Sequence, residues 1–461
     1  MADPWELASW DATETAERIA RRDVSAIEVV EAALARAEDA RVLNAIVTPM
    51  AERARRLASG PARGPLFGVP TAVKDLAKVE GTRIAWGTAA SGHVVARTTD
   101  PWVRAFEGTG LVAIGKSATP ELGMTGTTEP LAFGPTHNPW ATSRTPGGSS
   151  GGAGALVASG VVPIAHASDG GGSIRIPAAC CGLVGLKVTR RRWDMESSPL
   201  LPINIASHGA LTRSVRDTIA LWRAIETERG ALRPIGEAAT RRKLVIGVFL
   251  EAPTGVAVDE EVRAAVEATA RACSERGHDV RFVPCPFAGR IVDDFTDYWM
   301  FVAWLQYAFG RVLVTPRFDR RKLEPFMVGL ARRSAARRRE TFRATRRLRA
   351  LTAEWPALLA PYDVLIGPTL AQPATPLGHL APDVPFDEAM DRLMAFTPFT
   401  GLVNAAGAPA LSLPLARTKE GVPIGVHFLA RHEDEPTLLA LALELEEAMP
   451  WPRIAPRPWR A

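Results

Sequence analysis

Serine is a weak nucleophile until a base takes its proton, and lysine can be that base only where its surroundings have discharged it. Few positions in this 461-residue chain meet both needs. Two segments set serine among glycines: TPGGSSGG at 145–152 and SDGGGSIR at 168–175. Glycine lets a backbone approach a substrate closely, and successive N–H groups in such a turn can face one developing negative charge, as an oxyanion hole requires. Strand-like runs, Val161–Ala165 and Leu183–Leu186, bracket the second cluster, which argues against a flexible linker. The bases are as selective. Of 55 lysines and arginines only seven are lysines (Lys74, Lys78, Lys116, Lys187, Lys243, Lys322 and Lys419). A chain that uses arginine for its surface cations keeps a lysine in an apolar setting for what arginine cannot do, which is to lose its proton near neutrality. Lys74, in GVPTAVKDL, is such a lysine.

Other motifs compete and fit less well. Gly110–Ser117, GLVAIGKS, matches the phosphate-loop expression GxxxxGK[ST]. Its middle residues LVAI are strand-like and no clear helix follows, so a buried strand is expected and nucleotide binding is not. GSSGG at 148–152 fits the nucleophile elbow GxSxG, with Ser150 attacking as in an α/β-hydrolase esterase. That requires a strand leading into the turn, and residues 138–146 read as loop; His427 reads as structural. Cys180 and Cys181 lie in apolar surroundings without a clear activating cation, and the four cysteines show no metal spacing.

The motif set resembles the amidase signature family. GGSSGG at 147–152, SDGGGSIRIPAACCG at 168–182 and GLK at 185–187 are similar to its central block, and GVPTAVKD at 68–75 to its lysine segment. LVAIGKSATPELG at 111–123, GALTRSVRDT at 209–218 and the later TPFTGLVNAAGAPALSLPL and GVPIGVHFLA extend the likeness over roughly 60–225 and 360–430. TTEP at 127–130 and VPIAHASDGGGS look closest to bacterial amidases of the 6-aminohexanoate cyclic-dimer hydrolase type. The resemblance implies an α/β fold: a large, twisted, mostly parallel mixed sheet flanked by helices on both faces. It also implies one domain over 1–461, with a core at 60–225, a helix-rich excursion at 230–360 and a return to the core at 360–430.

For the chemistry, the resemblance implies that Ser173 attacks an amide carbonyl, Ser149 relays its proton from a cis peptide, and Lys74 receives it. The N–H groups of Gly170, Gly171, Gly172 and Ser173 would form the oxyanion hole, with Asp169 and Arg175 holding the loop. Met124, Thr125, Phe133, Trp193 and Trp304 are the expected pocket lining, favouring a small or medium amide with an apolar acyl or aryl group. No cofactor or metal is implied. The alternative on the same block is the A-type subunit of a tRNA-dependent amidotransferase, which passes ammonia from glutamine to a partner. Three positions depart from the family pattern: Gly170 where threonine or isoleucine is common, Leu76 for asparagine and Val188 for proline.

Positioning these residues calls for alternating strands and helices. Leu111–Ile114, Val161–Ala165, Leu183–Leu186, Leu244–Leu250 and Val364–Ile366 are apolar enough for buried strands, and helical spacing appears at Val215–Ile225, Asp259–Glu275 and Pro436–Ala448. Asp100-Pro101 reads as an N-cap with proline in the first turn, of a helix ending near Gly108 or Gly110. Composition sets the outer limits. With 47% hydrophobic and 23% charged residues the chain can bury a sizeable core. The N-terminus, MADPWELASWDATET, lacks a charged-then-apolar leader, and the least polar stretch, Gly152–Ala167, is broken by Gly160, Pro163 and His166. A cytoplasmic protein with reduced thiols and no membrane span is therefore expected, and a homodimer is compatible with it. Much of the net charge of +5 falls in ARRSAARRRETFRATRRLRA at 331–350. With a single aromatic, Phe342, among its arginines this reads as a solvated helix face and not as a nucleic-acid surface.

Overall fold

A computed structural model describes residues 3–192, 201–226, 234–235, 242–287 and 289–457. In chain order its strands are β1 (Ile46–Pro49), β2 (Pro70–Lys74), β3 (Arg83–Ile84), β4 (Val94–Val95), β5 (Val112–Ser117), β6 (Ile164–Asp169), β7 (Val184–Lys187), β8 (Ser207–Thr212), β9 (Val245–Val248), β10 (Asp279–Phe282), β11 (Val364–Pro368), β12 (Ala410–Arg417) and β13 (Pro423–Leu429). Eight form one sheet in the order β10-β9-β11-β13-β12-β7-β8-β6; β1, β5 and β2 form a second, and β3 pairs with β4.

The expected large mixed sheet with its helices is present, but it is not mostly parallel. Only β10–β9 and β9–β11 run parallel, and the other five neighbouring pairs are antiparallel. Chain geometry explains this. The connection between β12 and β13 is too short for a crossover, so the two must pair as a hairpin. β6 and β7 are joined through the helix Arg175–Cys181, yet β8 inserts between them and pairs antiparallel with both. Strand direction could not be read from pattern, because β11 and β13 are buried at every position and so show no alternation in either sense. The expected departure at 230–360 is also narrower than it looked, since β9 and β10 rejoin the sheet edge.

Local signals work as physics predicts. The helix Ala26–Asp39 opens with a capping box between Ser25 and Glu28, and Pro101–Gly108 starts on Asp100 with proline in its first turn. Helices form at Val215–Glu226, Glu260–Glu275 and Glu435–Ala448. The phosphate-loop look-alike lies in β5, buried throughout, where the Lys116 ammonium sits 2.8 Å from the buried Asp75 carboxylate. In the arginine-rich segment, Arg338, Arg339, Arg343 and Arg346 are exposed as expected. Arg337 (2.7 Å to Asp297) and Arg347 (to Asp294) instead stitch the helix Arg338–Leu358 and its start to the helix Gly289–Leu313. Among the described residues no helix is long and apolar enough to cross a membrane.

Candidate active site

Two strand ends and two glycine turns converge at one place. Lys74 ends β2, Ser149 precedes the helix Gly151–Ala158, and Ser173 lies in the turn between β6 and the helix Arg175–Cys181. Lys74 is fully buried, and its Nζ donates to Ser149 Oγ (2.8 Å), Ser168 Oγ (3.2 Å) and Ser168 O (3.3 Å). Burial lowers its pKa from 10.5 to about 7, against the opposing pull of the Asp169 carboxylate. The Gly148–Ser149 peptide bond is cis. Ser149 and Ser173 line one cavity of about 220 Å³.

Burial alone does not mark the base. Lys116 and Lys187 are also fully buried, and burial, followed by the Arg175 charge, lowers Lys187 to about 7 as well. Lys187 spends its protons on the carbonyls of Val188 and Ala408, and Lys116 on Asp75. Only Lys74 of the three reaches a hydroxyl that faces the cavity.

The serine loop is held from below by a buried ion pair. Asp169 accepts from the N–H groups of Gly172 (2.7 Å) and Ile174 (3.2 Å), from Arg175 Nε (2.9 Å) and from Asn404 Nδ2 (2.9 Å). Burial would raise this carboxyl's pKa, but the Arg175 guanidinium and these hydrogen bonds hold it well below the usual range. Arg175 also donates to Thr400 O (2.9 Å) and Asn404 Oδ1 (2.6 Å), and lies 3.0 Å from His427 Nε2. Asp169 and Arg175 thus shape the loop, and they correct one expectation. The Gly172 N–H is taken by Asp169, so it is not an oxyanion donor; those of Gly170, Gly171 and Ser173 have no acceptor among the described residues.

The pocket lining divides the expectations. Met124 and Thr125 line the cavity. Phe133 does not: it lies under the Arg83 guanidinium on the loop that follows, 5.6 Å from ring centre to charge. Trp304 faces a separate groove with Phe301 and Phe342. Trp193 lies outside the described residues. One face of the helix Gly289–Leu313 supplies Val292, Phe295, Thr296, Trp299 and Val302 instead, with Leu393 and Met394 opposite. Spacing of three and four residues along 292–302 was the available signal for that face, and Trp304 falls off it. Thr400 and Asn404, which tie the loop from the far end of the chain, carried no signal of their own. Ser150, the elbow candidate, is buried and bonded to Ser168 O (3.3 Å), and His427 serves Arg175.

This fold and site define a hydrolase of amide carbon–nitrogen bonds. The chain belongs to the amidase family, whose model matches residues 28–439. It is 41% identical to "Putative amidase AmiC" of Mycobacterium tuberculosis over 97% of this chain and 96% of that protein. It is 33% identical to the 6-aminohexanoate-cyclic-dimer hydrolase of Paenarthrobacter ureafaciens over 99% and 97%. A solved 6-aminohexanoate cyclic dimer hydrolase with bound substrate superposes with a TM-score of 0.87 at 31% identity, covering 98% of each chain. A bacterial aryl acylamidase gives 0.84 at 26%, covering 96% of each.

Proposed function

We propose that the protein cleaves small or medium amides with an apolar acyl or aryl group, through an acyl-enzyme on Ser173. Ser173 Oγ bonds to the carbonyl carbon, while its proton passes through Ser149 to neutral Lys74. The N–H groups of Gly170, Gly171 and Ser173 face the oxyanion. Collapse breaks the C–N bond, and Lys74 returns the proton through Ser149 to the leaving nitrogen. Water then attacks the ester by the same route in reverse. Ser149 and Ser173 are not hydrogen-bonded to one another in this structure, so the relay's second link forms on substrate binding, as catalytic contacts commonly do.

The observation that carries the substrate reading is that no charged side chain lines the cavity among the described residues. Glutamine's ammonium and carboxylate would be desolvated there without counter-charges, which weighs against the amidotransferase alternative. A fluorophosphonate, which needs no knowledge of substrate, tests the nucleophile. Label mapped to Ser173 supports the assignment, and label on Ser150 replaces it. Anilides and aliphatic amides then test the pocket: hydrolysis of glutamine in preference to them would sink the apolar reading.

A further inference from the structure

The apolar run before the serine loop is interrupted by His166, and the chemistry above makes no use of it. His166 sits on β6, fully buried, at the seam between the two sheets. β2 and β6 lie side by side there, and side chains take the place of the backbone ladder. The Thr71 hydroxyl donates to Ile164 O (2.8 Å), and the backbone N–H of Lys74 donates to His166 Nδ1 (3.3 Å). His166 Nε2 in turn lies 3.1 Å from His208 Nδ1 on β8.

The direction of one bond settles the rest. A backbone N–H can only donate, so His166 Nδ1 carries no proton and the ring is protonated on Nε2. That proton points at His208 Nδ1, which must accept, so His208 is protonated on its own Nε2. The two imidazoles meet edge to edge with their centres 5.3 Å apart, Trp102 stacks on His208 at 5.4 Å, and Phe106 lies 5.7 Å from His166. Neither imidazole can turn over without displacing this packing.

We propose that His166 and His208 are a positioning pair for the lysine base, holding the end of β2 so that Lys74 Nζ meets Ser149. This rests on Lys74 being the base. β6 grips that lysine at two points: the imidazole of His166 takes its backbone N–H, and Ser168, two residues on, takes its ammonium. The titratable neighbours are Lys74 on β2, Lys116 on β5, paired there with Asp75, and Asp169 at the end of β6 near Lys74; the helix Pro101–Gly108 contributes Trp102 and Phe106. Burial, then His208 and the two lysines, keep His166 neutral to well below 6.5, and burial with Lys74 holds His208 at about 4. A proton on His166 Nδ1 would set a donor against the Lys74 N–H and a second cation near the base.

Two measurements on the full-length protein test the pair. In ¹⁵N-histidine-labelled protein, long-range proton–nitrogen spectra should show both rings neutral and protonated on Nε2 at pH 7; a proton on His166 Nδ1 overturns the proposal without any variant. Second, the rate of fluorophosphonate labelling at Ser173 is followed against pH. The wild type should rise through an inflection near pH 7. His166→Leu leaves the Lys74 N–H without its acceptor, and water drawn in to pair it favours the charged lysine, moving the inflection up by about one pH unit and slowing labelling at pH 7 about fivefold. His166→Asn keeps an acceptor where Nδ1 stood and should restore the wild-type inflection even if it melts earlier. A folded His166→Leu with the wild-type profile refutes the positioning role alone. Absence of label on wild-type Ser173 refutes the reading of the site, and the pair's role with it.

Discussion

Replacing the proposed base with methionine separates what Lys74 does for chemistry from what it does to stability. The native lysine pKa lies near 7 against the ordinary 10.5. At 1.36 kcal/mol per pH unit this difference amounts to about 5 kcal/mol of folding free energy lost at or below pH 7. Between pH 7 and 10.5 the unfolded chain binds a proton that the native lysine has released, so this contribution makes the wild type more stable as pH rises. Lys74→Met removes it, along with three hydrogen bonds worth about 1 kcal/mol each. The variant should therefore be about 1–2 kcal/mol more stable than wild type at pH 7, and, as the difference shifts by about 3 kcal/mol, about 1–2 kcal/mol less stable at pH 9.5. Lys187 titrates in both proteins and cancels. Urea unfolding at pH 7, 8 and 9.5 reads the difference directly, and the same samples should label at Ser173 at least about 100-fold more slowly. A stability difference that does not change with pH would mean that Lys74 is charged in the native protein, and the relay as written would fail.

Other outcomes follow from the loop and the pocket. Ser173→Ala should abolish both labelling and amide turnover while melting like the wild type; residual turnover near wild type would end the nucleophile assignment. A side chain at Gly170 would meet nothing within 4 Å and one at Gly172 would sit 2.3 Å from Thr400 Oγ1 at φ +127°, so Gly170→Ala should keep its labelling rate and Gly172→Ala should lose it. Phe295 packs against the positions where Cβ atoms at Gly171 and Gly401 would stand. Phe295→Ala should widen the cavity and shift preference toward bulkier acyl groups, seen as a higher ratio of kcat/KM for a long over a short anilide; an unchanged ratio would remove Phe295 from the specificity wall.

Much of this was visible in the residues themselves. Glycine beside serine at 147–149 and 170–173, and one lysine kept where arginine is the habit, follow from what a polarised carbonyl requires of its surroundings, and that requirement is local. Helices with caps and uninterrupted apolar strands were legible for the same reason, since neighbours within a few residues decide them. Three things needed the folded chain. Strand direction depends on which distant segment lies alongside, and a strand buried on both faces looks alike either way. Which buried lysine can serve as the proposed base depends on what its ammonium reaches, and Lys74, Lys116 and Lys187, all buried, have different partners. The loop's own hydrogen bonds decide which N–H groups stay free, and Asp169, tied to Asn404 more than 200 residues away, claims Gly172 and leaves its neighbours unclaimed among the described residues.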